Sequence, residues 1–185
     1  MDANVPQHTA YPSEQARSNT SYSVQQVLEL AIVHSDNRAT MMLFRHASLE
    51  RYTQLFVDLG LPRPDRNAAN YLMTAKDYSV FLKALYNSSL LSSMGSERAL
   101  GYMTRSTFRS GLVAGLPSDV EVAHKFGEAG NEAEKELHES GLVFADGHPY
   151  LITVMTRGEQ VEPLAEAIAS ISRLVYGRMV DEQQL

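Results

Sequence analysis

The chain has 185 residues, 44% hydrophobic and 21% charged, which is the make-up of a globular domain with enough apolar content for a core. A net charge of −6 with no basic stripe argues against nucleic acid as a partner. Cysteine is absent, which excludes disulfides and thiolate-held zinc, and no apolar run approaches the roughly 20 residues that span a bilayer, so membrane insertion is not expected.

Residues 1–22 carry Pro6, Pro12 and several polar residues without apolar periodicity. They predict an irregular, poorly ordered segment with no signal-peptide pattern. Ser23 is the N-cap expected for a helix through Val27, Leu28, Leu30, Ala31 and Ile32. Asp36 and Asn37 break or cap, and a second helix follows through Met41, Met42, Leu43 and Phe44. Ser48 opens a third helix, whose Leu49, Tyr52, Leu55, Phe56 and Leu59 keep helical spacing until Gly60 stops it. Residues 61–70 form a loop. Thr74, with Asp77 three residues on, caps a helix with Val80, Phe81, Leu82, Ala84, Leu85 and Tyr86 on its buried face. A short helix over 93–104 leads into a loop, 105–119, marked by Gly111, Gly115 and Pro117.

The period then changes from helix to strand. Residues 120–126, 136–145 and 148–156 predict three short antiparallel strands, the last two joined through Asp146-Gly147, a hairpin signal. An amphipathic helix closes the chain from about Glu159 to Met179, with Leu164, Ile168, Ile171 and Val175 turned to the sheet. The division is thus an irregular segment (1–22), a helical region (23–119), strands plus a C-terminal helix (120–179) and a tail (180–185). The inventory is lopsided, with the helices before a three-strand meander, as in the back part of a larger α/β fold.

Two polar constellations stand out. Ser35-Asp36-Asn37 interrupts two apolar helical runs, and Lys125-Phe126-Gly127 lies at the expected end of the first strand. The pair resembles the second and third motifs of the class A β-lactamase and penicillin-binding-protein family, Ser-Asp-Asn and Lys-Thr-Gly. Further stretches are similar to that family in the same order: "SYSVQQVLELAIVHSDNRAT", "LMTAKDYSVFLKALYNSSLLS", "GLVAGLPSDVEVAHKFGE" and "ELHESGLVFADGHPYLITVMTRG". The resemblance covers nearly all of residues 1–178. It implies an α/β, transpeptidase-like fold lacking its N-terminal strands and nucleophile helix.

The resemblance also implies roles. Ser35 would relay a proton and Lys125 would supply positive charge for a substrate carboxylate, both as catalytic residues. Asn37 would bind the substrate's amide side chain. Gly127 would let substrate approach the backbone, and the N–H of Glu128 would face the oxyanion. The substrate would be a β-lactam or a D-Ala-D-Ala peptide of peptidoglycan, the parent protein periplasmic or extracellular, and no cofactor is implied.

Three departures bear on that expectation. No serine in the chain has lysine three residues on, so the nucleophile motif Ser-x-x-Lys is missing and the chain is expected to be N-terminally incomplete and inactive alone. Phe126 replaces the hydroxyl residue of the third motif. The loop 61–70 has no glutamate to activate a deacylating water; its one carboxylate is Asp65. A non-catalytic relative that binds a cell-wall peptide or a protein partner is the alternative reading.

Plainer explanations exist for each residue. Ser, Asp and Asn are cap and turn formers, so the triplet also suits a simple helix junction. Lys125 also suits a solvated strand end. His124 should point away from Lys125 by strand alternation, into packing. The six histidines show no ligand spacing, so no metal is expected. The apolar, β-branched stretch 150–156 would form an edge strand, through which a marginally stable chain is expected to self-associate.

Overall fold

The computed structural model describes residues 9–65, 71–145 and 148–181. Expectations for the remainder of the loop 61–70, for the Asp146-Gly147 hairpin and for the chain ends fall outside the described residues. Each early helix starts at the polar residue that the sequence offers as a cap. Helix α1 (Val24–Ile32) begins with a reciprocal capping box between Ser23 and Gln26. The N-caps of α2 (Asn37–His46), α3 (Leu49–Asp58), α4 (Ala75–Tyr86) and α5 (Ser93–Met103) are Asp36, Ser48, Thr74 and Ser92. Gly60, at φ +71°, takes the left-handed conformation that ends α3.

The strands β1 (Glu121–Gly130), β2 (Lys135–Phe144) and β3 (Tyr150–Gly158) form an antiparallel meander in the order β1-β2-β3. Helix α6 (Val161–Asp181) follows. Alternation gives the sheet two apolar faces. Val122, Phe126, Leu137, Val143, Ile152 and Val154 pack with Leu164, Ala165 and Ile168 of α6 and with Phe108 and Leu112. On the opposite face Ala123 and Leu142 meet Leu82 of α4, with Leu100 and Met103 of α5 beside them. Three layers result, and α1 and α2 form a smaller cluster at the side with Val27, Leu30, Ala31, Ala39 and Ala16. No helix among the described residues is long and apolar enough to cross a membrane.

Several expectations change. Tyr86 of α4 and Ile171 of α6, both expected on a buried face, are exposed because the sheet covers only the other residues of each stripe. Strand β1 does not end at Gly127 but continues to Gly130, because Gly127, Glu128 and Ala129 stay paired with His138, Leu137 and Glu136. Lys125 is therefore a mid-strand residue. The segment 105–119 is not a surface loop: Phe108 and Leu112 are core residues, and Leu112–Gly115 winds into a 3₁₀ turn against α6. Residues 9–22 are irregular but not loose. Ala16 is buried, and Tyr11 packs edge-on against Phe108 and Phe126. The last helix runs past 179 to Asp181. As expected of an edge strand, β3 pairs only with β2 among the described residues.

Candidate functional site

The Ser-Asp-Asn triplet joins α1 to α2, and its middle residue holds the junction together. The Asp36 N–H closes back onto the Leu30 carbonyl at 3.0 Å, wrapping the end of α1. Its carboxylate then starts α2, accepting from the N–H of Arg38 at 3.0 Å and of Ala39 at 3.4 Å. The same buried carboxylate takes the Ala16 N–H at 2.7 Å and so ties the N-terminal segment down. Between the two helices Ser35 sits at φ +53°, in the left-handed region that costs a non-glycine residue about 1–3 kcal/mol. Asn37 is the first residue of α2 and is exposed.

The end of α1 is docked onto the segment after α5. Thr107 donates its N–H at 3.0 Å and its hydroxyl at 3.1 Å to the Val33 carbonyl. This brings Ser35 to β1, where Lys125 Nζ donates to Ser35 Oγ at 2.5 Å across 90 residues of sequence. The ammonium also donates to the Phe126 carbonyl at 2.6 Å and lies 4.5 Å from the centre of the Phe126 ring. Burial pushes the Lys125 pKa down to about 8, while the negative charges of Glu139 and then Glu128 hold it up. At neutral pH the ammonium form still predominates.

The other residues of the sequence-based site fall nearby. Gly127 is exposed, and a Cβ built there meets nothing within 4 Å, so no crowding within the chain demands glycine. Glu128 follows it on the edge strand β1. Its side chain is held by Thr9 Oγ1 at 2.6 Å and by the Ala10 N–H at 2.9 Å. Phe126 turns inward and stacks on Phe108 with centroids 4.2 Å apart. The space beside Ser35 and Asn37, walled by Thr9, Tyr11 and Ser13, is only 10 Å³, at or below the minimum of about 10–15 Å³ for one water. A wider cleft of 830 Å³ opens past Gly127, bounded by Tyr71, Met73, Glu128, Ala129 and Met155 among others.

Residue-by-residue sequence reasoning missed a buried pair behind the motif. His124 faces away from the Lys125 side, as alternation requires, and its Nδ1 is 2.6 Å from Glu139 Oε1, both side chains fully buried. Glu139 Oε2 accepts the Leu112 N–H at 2.8 Å. The signal was in the strands: Glu139 shares the inward face of β2 with Leu137 and Val143, and His124 shares that of β1 with Val122 and Phe126. A carboxylate and an imidazole in phase with apolar neighbours on paired strands are set to meet.

The model of the β-lactamase enzyme family matches residues 7–179. The chain belongs to that family. Among solved structures, PBP-A is 25% identical with a TM-score of 0.71, over 90% of this chain and 64% of that one. A mutant of PBP-A in an acyl-enzyme complex with penicillin G is 23% identical with a TM-score of 0.71, over 90% and 65%. A β-lactamase from Xanthomonas campestris pv. campestris is 22% identical with a TM-score of 0.70, over 83% and 63%, and like the mutant is evidence for the fold alone. The chain thus spans just under two thirds of the length of these β-lactamase-like proteins. No curated protein matches it.

Proposed function

We propose that this β-lactamase-family chain carries the substrate-recognising part of a serine acyl-transfer site for β-lactams or D-Ala-D-Ala peptides, and that these 185 residues alone do not form an acyl-enzyme. The observation that carries the reading is the bond from Lys125 Nζ to Ser35 Oγ, which joins the two polar motifs at one point. In the proposed site Lys125 attracts the substrate carboxylate and keeps the Ser35 hydroxyl oriented for proton relay. Asn37, exposed at the start of α2, offers its amide to the substrate side chain. Gly127 leaves the backbone open, and the N–H of Glu128 serves the oxyanion. A ligand seated against Ser35 has to displace Tyr11 and Ser13, which fill that space. The parent protein is proposed to work in the periplasm or outside the cell, where its peptidoglycan substrate lies.

Intact-mass spectrometry after incubation with benzylpenicillin tests the chemistry. Without a Ser-x-x-Lys nucleophile the expected result is an unchanged mass. A stoichiometric adduct on any serine overturns the assignment. The second reading is a non-catalytic member that binds a cell-wall peptide, and the inward-turned Phe126 favours it, because the hydroxyl that the third motif normally offers a substrate carboxylate is replaced by a core ring. Turnover of a β-lactam by the chain joined to a Ser-x-x-Lys segment would decide against it. We further propose that the edge of β3, residues 150–156, which has no strand beside it among the described residues, pairs with a second copy.

A further inference from the structure

We infer that Glu139 is the positioning residue for the Ser35–Lys125 contact, holding both sides of it from the opposite face of the sheet. On the lysine side, Glu139 lies against both residues that flank Lys125. Its Oε1 is 2.6 Å from His124 Nδ1, and its backbone is the cross-strand partner of Phe126, whose carbonyl Lys125 binds. On the serine side, its Oε2 takes the Leu112 N–H at 2.8 Å and anchors the 108–112 turn. That turn continues from Thr107, which grips the end of α1 just before Ser35.

The fit around the carboxylate is specific. A Cβ at Gly111 would lie 1.9 Å from Glu139 Oε2 and 2.9 Å from the Phe108 ring, so the turn closes over the carboxylate only with glycine there. A fully buried carboxylate is expensive to desolvate, and an apolar residue would fill the same core position without that cost. One of its two contacts goes to β1, which carries Lys125, and the other to the turn that follows Thr107, on which the end of α1 is docked. Glu139 also acts on Lys125 through its charge, as the largest of the influences that hold the ammonium protonated against burial.

The inference rests on reading Lys125 as the cation of the site, but its test reads titration rather than ligand binding. The chain has four lysines, so ¹³Cε-labelled lysine gives four signals, and Lys125→Arg assigns the one that matters. Other titratable groups around Lys125 are Glu128 on its own strand, Tyr78 of α4 in the same small cavity, Tyr11, and His34 beside Ser35. All four stay in place in the variants. In Glu139→Gln, which keeps an oxygen for Leu112, the Lys125 midpoint should fall below its wild-type value of about 8. In Glu139→Asp, which keeps the charge, it should stay near wild type while the Leu112 and Ser35 amide signals move.

A folded Glu139→Gln protein with an unchanged or raised midpoint overturns the inference, because a purely structural carboxamide would behave that way. If Glu139→Gln does not fold, His124→Gln decides. It leaves the carboxylate in place, so the midpoint should hold or rise, and a fall overturns the inference. Loss of penicillin binding with the midpoint shift intact would remove the proposed function and leave Glu139's role standing.

Discussion

Asp36→Ala tests the turn that presents Ser35. The wild-type carboxylate caps α2 through two N–H groups and accepts the Ala16 N–H at 2.7 Å in a buried setting. Loss of an N-cap aspartate costs about 1 kcal/mol. Leaving the Ala16 N–H buried without an acceptor adds about 1–3 kcal/mol. The expected destabilisation is therefore about 2–4 kcal/mol, well above the ~0.5 kcal/mol of an ordinary surface substitution. Urea unfolding followed by circular dichroism, with unchanged slope, measures it. Asp36→Asn can aim its one oxygen at the Ala16 and Ala39 N–H groups but then turns its NH2 onto the Arg38 N–H, so its loss should fall between wild type and Asp36→Ala. If Asp36→Ala unfolds at the same urea concentration as wild type, the carboxylate does not hold this turn and Ser35 is positioned by something else.

Lys125 should leave a pH signature. Between its folded pKa of about 8 and the ordinary 10.5 the unfolded chain holds a proton that the folded chain has released, so wild-type stability should rise with pH across that window relative to Lys125→Met. The ceiling is ~3 kcal/mol at about 1.4 kcal/mol per pKa unit, and parallel pH profiles for the two proteins would refute the burial of the ammonium. Gly111→Ala should cost about 1–3 kcal/mol by overpacking, measured by thermal unfolding, because its Cβ meets the Glu139 carboxylate and the Phe108 ring. Met155→Lys places a charge on the open strand β3 and should shift the chain from associated species to monomer in size-exclusion chromatography with light scattering, whereas an already monomeric wild type would show that the edge is not used.

The helices were legible because their starts are chemical. Ser23, Asp36, Ser48 and Thr74 can accept hydrogen bonds from the first turn, and each does. The two polar motifs were legible for the same reason, since a cap residue followed by exposed Asn37 and a lysine amid apolar strand neighbours are local patterns. What was not legible depends on partners distant in sequence. The strand signal in "GEAG" is weak, and β1 continues through it only because β2 supplies a ladder from Lys135 to His138. Phe108 and Leu112 sit among glycine and serine, and only the inward faces of the sheet and of α6 make them core. Glu139 lies in phase with inward Leu137 and Val143, but the Leu112 N–H that its carboxylate binds comes from a segment 27 residues away.

The most direct test of the site is a ¹H–¹⁵N NMR titration of the chain with benzylpenicillin, read together with the intact mass of the same sample. The expected result is a saturable, reversible set of shifts at Ser35, Asn37 and Lys125 through Glu128, spreading to Tyr11 and Ser13 as they yield the space beside Ser35, with no change in mass. Shifts confined to other surfaces, or none at millimolar ligand, would contradict the assignment of these residues to a β-lactam-recognising site.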